Sequence, residues 1–164
     1  MLNQLAAFEL DLDIEPLWLS WFSGLVDGEG CFQIQIAKES SQVACVLKIE
    51  VRVEDRPMLD DLSAMLRCGS VSERVRPLTL KNGKTPHYAK WTVADTGAIV
   101  HIIIPVLDKY PLRSVKQNDF ELWRQAALAI HAGKHLSRQG HSELVTLKRR
   151  MSEERHAGQQ SQPN

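Results

Sequence analysis

The residues best equipped for chemistry gather in one stretch, Trp18-Leu19-Ser20-Trp21-Phe22-Ser23-Gly24-Leu25-Val26-Asp27-Gly28-Glu29-Gly30. Ser20, Ser23, Gly24 and Asp27 are spaced i, i+3, i+4 and i+7, which places short side chains along one face of a helix. A glycine inside a helix costs about 1 kcal/mol relative to alanine, and a face of small residues lets another backbone approach closely. Two carboxylates, Asp27 and Glu29, follow at the helix end, where the helix dipole disfavours negative charge. Something must compensate them, and a divalent cation is one candidate. If two copies of this helix pack through the small face, their carboxylates meet, and like charges in contact repel unless metal or protons intervene. With Mg2+ or Mn2+ between them, such carboxylates can clamp the attacking and leaving oxygens of an in-line phosphodiester hydrolysis. Taken alone, Asp-Gly-Glu-Gly is also a turn sequence selected for positive φ.

The surrounding pattern supplies elements that could position these groups. Pro16 suits a first helical turn, and a helical pattern runs from Leu17 to Val26 before stopping at Asp27-Gly28-Glu29-Gly30. Residues 31–37 alternate apolar and polar, as do residues 43–54, where Leu47, Ile49, Val51 and Val53 oppose Lys48, Glu50, Arg52 and Glu54. Both segments read as half-buried strands. Asp55 is placed to cap a second helix with Pro57 in its first turn, a stripe of Met58, Leu59, Leu62, Met65 and Leu66, and Gly69 at its end. Residues 70–76 and 87–93 read as two more strands around an Asn82-Gly83 turn signal. Asp95 is a cap for a third helix, which Pro105 should kink or shorten. Ser114 and Ser142 are candidate caps for two further helices, reaching about Ala132 and Arg155. The order α-β-β-α-β-β-α followed by helices predicts an α+β domain: an antiparallel sheet covered on one face by helices, its other face polar and open to a ligand. Residues 1–16 read as an N-terminal extension, 17–156 as one domain and 157–164 as a polar tail.

Composition narrows the function classes. Residues 1–30 carry six acids and no Lys or Arg, which leaves 20 basic against 14 acidic residues in the remainder of a chain whose formal net charge is zero. Between Arg67 and Lys90 stand six basic residues and a single acid, Glu73. That asymmetry suggests a basic surface joined to an acidic element, although an ordinary solvated face has the same signature. The N-terminal stretch lacks the positive charge of a secretory signal, and no apolar run approaches the ~20 residues of a membrane span. The odd set Cys31, Cys45 and Cys68 contains no C-x-x-C pair, which argues for reduced thiols in an intracellular compartment. His131 and His135 read as a surface pair, because no HExxH glutamate stands between them. The four tryptophans read as core or interface.

The nine residues from Phe22 to Gly30, FSGLVDGEG, resemble the signature motif of the LAGLIDADG homing endonucleases. Gly24, Leu25, Asp27 and Gly30 match it, and Phe22, Ser23, Val26, Gly28 and Glu29 are conservative variants. The similarity extends through Cys68-Gly69-Ser70-Val71 to the stretch from Asp108 to Lys116 and Phe120, about residues 17–125 in all. It implies a homing endonuclease-like fold and a metal-dependent enzyme that cuts both strands of a long, partly palindromic DNA target. It further implies that Glu29 coordinates the metal, Mg2+ or Mn2+, and that Asp27 orders the helix end and contacts the neighbouring motif helix. The family's basic catalytic residue falls on Lys116, with Arg113 as the alternative. The polar strand residue that orients water in relatives falls on Val51, which leaves Arg52 or Glu50 for that role. With one motif, the resemblance implies a homodimer whose interface includes Ser20, Ser23, Gly24 and Asp27, and a free-standing, intron-encoded protein in the cytoplasm, nucleoid or an organelle. The polar sheet face would read double-stranded DNA through Gln33, Gln35, Lys48, Arg52, Ser72, Arg74, Arg76, Tyr88 and Lys90. An RNA maturase with intron RNA as partner, and a DNA-binding protein without cleavage, are alternatives on the same fold. An unrelated interaction domain would fit the zero net charge and leave the motif unexplained.

Overall fold

The computed structural model describes residues 13–37, 42–75 and 85–160, with side chains to 155. Helix α1 (Pro16–Glu29) leads directly into strand β1 (Gly30–Ile36). Strand β2 (Val43–Arg52), a short 3-10 turn and helix α2 (Arg56–Leu66) follow. Next come strands β3 (Ser70–Val75) and β4 (His87–Val93). The four strands form one antiparallel sheet in the order β1-β2-β4-β3. Helix α3 (Thr96–Ala98), a π-helical segment (Ile99–Ile103) and helix α4 (Ile104–Lys109) run on as one continuous rod. Helices α5 (Lys116–His131) and α6 (Arg138–Gln160) complete the chain. The α+β architecture with helices on one sheet face is therefore the one the alternation pattern predicts.

Register fixes which side chains share a face. Phe32 pairs with Leu47, Leu47 with Val93, and Ile49 with Trp91, all of them buried. Helices α1, α2 and α5 pack on this side. Phe32 lies 5.0 Å from Trp123 and 5.7 Å from Phe120 between ring centroids, which seats α5 on β1. Phe22 of α1 meets Trp91 edge-on at 6.3 Å, and the Trp91 indole donates to the Cys68 carbonyl at 3.1 Å. Tilted and edge-on aromatic pairs of this kind add to the stabilisation from area burial alone. Trp91 and Trp123 are thus core residues, while Trp21 is 42% exposed.

Several local expectations are corrected. Helix α1 continues through Asp27 and Gly28 to Glu29, three residues past its apolar pattern. Asp55 makes no capping hydrogen bond, because the backbone is already wound into the 3-10 turn before α2. That helix ends on Arg67, the one described non-glycine residue with positive φ (51°), two residues before Gly69 (φ 79°). Asp95 does cap its helix, accepting from the Ala98 amide at 2.7 Å. Pro105 does not stop the helix. The Ile104 amide reaches back to the Ile99 carbonyl, and this wider turn relieves the clash a proline ring makes with the carbonyl four residues earlier. The Ser114 hydroxyl accepts from the Lys116 amide, but Ser114 stands one residue before the cap position of α5, which is Val115 and makes no side-chain capping bond; α6 is capped by Ser137, which accepts from Gly140, and not by Ser142. Strand β3 is described to Val75, so Arg76 and the Asn82-Gly83 turn signal lie outside the described residues. The three cysteines are free thiols, and burial pushes the Cys45 thiol up to about 12 and that of Cys68 to about 11.

Candidate functional site

The chemistry-bearing stretch forms the junction between α1 and β1. Gly30 starts the strand directly after Glu29, and a Cβ there would stand 2.5 Å from the Val26 carbonyl oxygen and 2.8 Å from its Cγ1. Only glycine allows the chain to leave the helix this abruptly, so the Glu29 carboxylate is fixed at the helix end beside the first strand residue. Gly30, the first residue of the edge strand β1, pairs with Ile49 of β2, and Glu29 is exposed there. It makes no hydrogen bond or ion pair among the described residues.

Asp27 has a different employment. Its carboxylate accepts from the Arg113 amide at 2.8 Å, from the Ser114 amide at 3.1 Å and from the Ser114 hydroxyl. Desolvation opposes its ionisation. The hydrogen bonds from Ser114 and Arg113 and the nearby Lys116 charge outweigh that and hold the carboxyl below the usual aspartate range. Ser23 is buried and donates to the Tyr110 carbonyl at 2.6 Å. Both residues therefore bind the connector between α4 and α5, within the same chain.

That connector delivers Lys116, whose ammonium donates to the carbonyls of Val26 at 3.2 Å and Gly28 at 3.3 Å. A cation on the last carbonyls of a helix is favourable by both hydrogen bonding and dipole. The compensation that the helix end requires thus comes in part from Lys116. Burial lowers the Lys116 pKa, opposed by the negative charges of Asp27, Glu29 and Asp119 nearby. A cation and a free carboxylate stand together at one point on the rim of the sheet. Arg113 is exposed and contributes its backbone amide.

The polar face of the sheet carries the other candidates together. The register places Gln33, Gln35, Lys48, Arg52, Ser72, Arg74, Tyr88 and Lys90 on the side opposite the core, with Arg52 and Arg74 both across from Tyr88, and Ser72 across from Lys90. The Lys48 ammonium donates to Gln33 Oε1 at 2.9 Å, and Gln35 donates to the same oxygen at 3.2 Å. Glu50, also on this face, lies 3.8 Å from Arg74. Arg52 is largely exposed and 3.5 Å from Glu54. It is three residues beyond the level of Gly30, about 10 Å along the strand, whereas Glu50 is two residues nearer. Val51 points to the core side, where Ala89 is its partner.

One face of α1 remains open. Leu17 is 78% exposed, Ser20, Trp21, Gly24 and Gly28 follow along the same side, and a Cβ at Gly24 or Gly28 would have no atom within 4 Å. The glycines leave room that no described residue fills. Sequence spacing grouped Ser20, Ser23, Gly24 and Asp27; of these, Ser20 and Gly24 are on the open side. The exposed Leu17 and Trp21 and the unfilled Gly28 were missed, although their i, i+4, i+7, i+11 spacing with Gly24 was available as a signal. His131 turns its ring edge to His101 at 5.2 Å between centroids, and His135 stands on a separate turn. Among the described residues, no three His, Cys, Asp or Glu side chains cluster as a metal cage, and no helix is long and apolar enough to cross a membrane.

The sequence model of the LAGLIDADG endonucleases matches residues 22–127, which begins at the first motif residue and ends within α5. The chain is 26% identical over 129 residues to a probable intron-encoded endonuclease 2 of Neurospora crassa, covering 79% of this chain and 26% of that protein. The LAGLIDADG meganuclease I-AabMI bound to uncleaved DNA is similar with a TM-score of 0.66 and 29% identity, covering 79% of this chain and 43% of that one. I-SmaMI, bound to an uncleaved DNA target in the presence of calcium ions, gives a TM-score of 0.65 and 25% identity over 78% of this chain and 42% of that one. The chain thus spans about a quarter of the curated relative and less than half of each solved structure.

Proposed function

The chain belongs to the LAGLIDADG endonuclease family, and from that premise we propose that it is a site-specific homing endonuclease that hydrolyses both strands of a long DNA target. The observation that carries the reading is the junction at Glu29 and Gly30. A free carboxylate, an ammonium held on the helix-end carbonyls and a basic strand face meet there. The domain doing this work is residues 17–156.

One chain supplies half of a site. An exposed carboxylate without a hydrogen-bond partner is a suitable hard donor for Mg2+ or Mn2+, but a single carboxylate is an incomplete set. A second copy packed on the open face of α1 would bring a second Glu29 to the same point, with Ser20 and Gly24 at the crossing and Ser23 and Asp27 holding the helix in place beneath it. Two Glu29 carboxylates and DNA phosphate oxygens then make a fitting donor set. The bound cation would supply Lewis acidity toward the phosphate. Lys116, fixed on the Val26 and Gly28 carbonyls, places positive charge where the phosphorane gains negative charge. Arg52 and Glu50 are the strand residues that can position solvent. Gln33, Gln35, Lys48, Arg52, Ser72, Arg74, Tyr88 and Lys90 face the major groove, with Gln suited to adenine and Arg to guanine.

Glu29→Gln tests the reading. It keeps size and removes the charge, so cleavage should disappear while the fold and the DNA gel-shift persist, because binding rests on the sheet. Cleavage near the wild-type rate with Mg2+ supplied would show that Glu29 is not the metal-holding group.

A further inference from the structure

A groove of about 950 Å3 runs between strand β1 and helix α6, away from the α1 junction. Gln33 and Gln35 line it from the strand, and His135, Lys148, Ser152 and Arg155 from the other side. None of its described lining residues is acidic. Arg155 is already committed, donating to Asp119 at 2.7 Å and to the Phe32 carbonyl at 2.7 Å. Lys148 is exposed and has no ion-pair partner among the described residues. His135 Nδ1 makes no hydrogen bond among the described residues.

We propose that this groove is a phosphate-binding flank that extends the DNA footprint from the sheet onto helix α6, with Lys148 as its charged contact. The inference rests on the DNA-binding reading above. Two observations carry it. Gln33 and Gln35 belong to both surfaces, so a duplex lying on the sheet cannot avoid the groove's mouth. The dimensions agree as well. Four strands about 4.8 Å apart make a sheet about 14 Å wide, against a major groove about 12 Å wide. A sheet that fills the groove puts its edge strands against the phosphate walls, and β1 is one of those edges. A wall of phosphates beside β1 meets Lys148 and Ser152, a cation and a hydroxyl, the pairing that positions DNA backbone without reading sequence.

The experiment measures affinity of the full chain for a mixed-sequence duplex of about 40 base pairs as a function of salt. Because each phosphate contact contributes about −0.9 to the slope of log K against log salt, Lys148→Ala, which removes one contact from each copy of the proposed dimer, should flatten the slope by about 1.8. Between 50 and 200 mM salt its affinity should then fall about twelvefold less than wild type. Ser152→Lys, at an exposed position, should steepen the slope by a similar amount. Ethylation of phosphates just outside the central segment should weaken wild-type binding and have less effect on Lys148→Ala. Unchanged slopes in both variants, with wild type binding normally, overturn the flank and leave the endonuclease reading intact. A wild-type chain that does not bind duplex DNA at all overturns both.

Discussion

Removing the Asp27 carboxylate should loosen the segment that carries Lys116, and the size of the effect follows from its partners. The carboxylate receives hydrogen bonds from two successive amides, Arg113 and Ser114, and from the Ser114 hydroxyl. Hydrogen bonds to a charged group contribute about 1.5–3 kcal/mol each when well shielded, and solvent screening at this half-exposed position reduces that. Asp27→Ala gains about 0.5 kcal/mol in helix propensity, so a net loss of about 3 kcal/mol is expected. Asp27→Asn keeps an oxygen for the amides and loses charge assistance, about half the strength, for a loss of about 1.5 kcal/mol. Urea denaturation of the three proteins gives the differences directly. Their pH dependence supplies a second check. The folded pKa of Asp27 lies below the ordinary value of 3.8, so its charge contributes fully above that value, and the contribution is lost as pH falls through it toward the folded pKa. The gap between wild type and Asp27→Asn should be constant from pH 5 to 8 and narrow below about pH 4. A gap under ~0.5 kcal/mol, or one independent of pH, would refute the assignment of Asp27 as the tether.

Gly69→Ala should cost about 3 kcal/mol or more in the same denaturation assay, since φ is +79° and the new methyl would stand 2.2 Å from the Trp91 ring nitrogen. Gly24→Leu should leave the fold of the single chain intact by circular dichroism, because no described atom lies within 4 Å of a Cβ there, yet sedimentation should show self-association lost. A dimer that survives this substitution places the interface elsewhere. Replacing Arg74 and Lys90 together by Ala removes up to four contacts from the proposed dimer and should flatten the salt dependence of DNA binding by about 3.6 in slope, and an unchanged slope would remove them from the phosphate contacts.

The strands were readable because alternation is a local property: β4 begins and ends where the pattern does, and the pairing puts every described strand candidate for DNA contact on one face. The α1 junction was only partly readable. Asp27-Gly28-Glu29 has the composition of a turn, yet the helix continues because Ser114, Arg113 and Lys116, more than 80 residues away, satisfy its carboxylate and carbonyls. No window of sequence contains that contact. Ser23 illustrates the same limit. Its small size suggested a partner helix, and it instead reaches the Tyr110 carbonyl. Helix caps were ambiguous for a simpler reason: Ser137 and Ser142 both precede apolar periodicity, and only the backbone path decides between them.

The guanidinium of Arg155 on the Phe32 carbonyl has a consequence for how the protein behaves in crowded solution. Phe32 belongs to an outer strand, and the unpaired backbone groups of such a strand are a template on which another chain's strand can zip. Helix α6 spends one of its last described side chains occupying that template. Shortening the helix before Arg155 would therefore do more than remove a surface turn. It would uncover a hydrogen-bonding rail beside the aromatic cluster of Phe32, Phe120 and Trp123, and the truncated chain should form sheet-extended aggregates at concentrations where the intact chain stays dispersed.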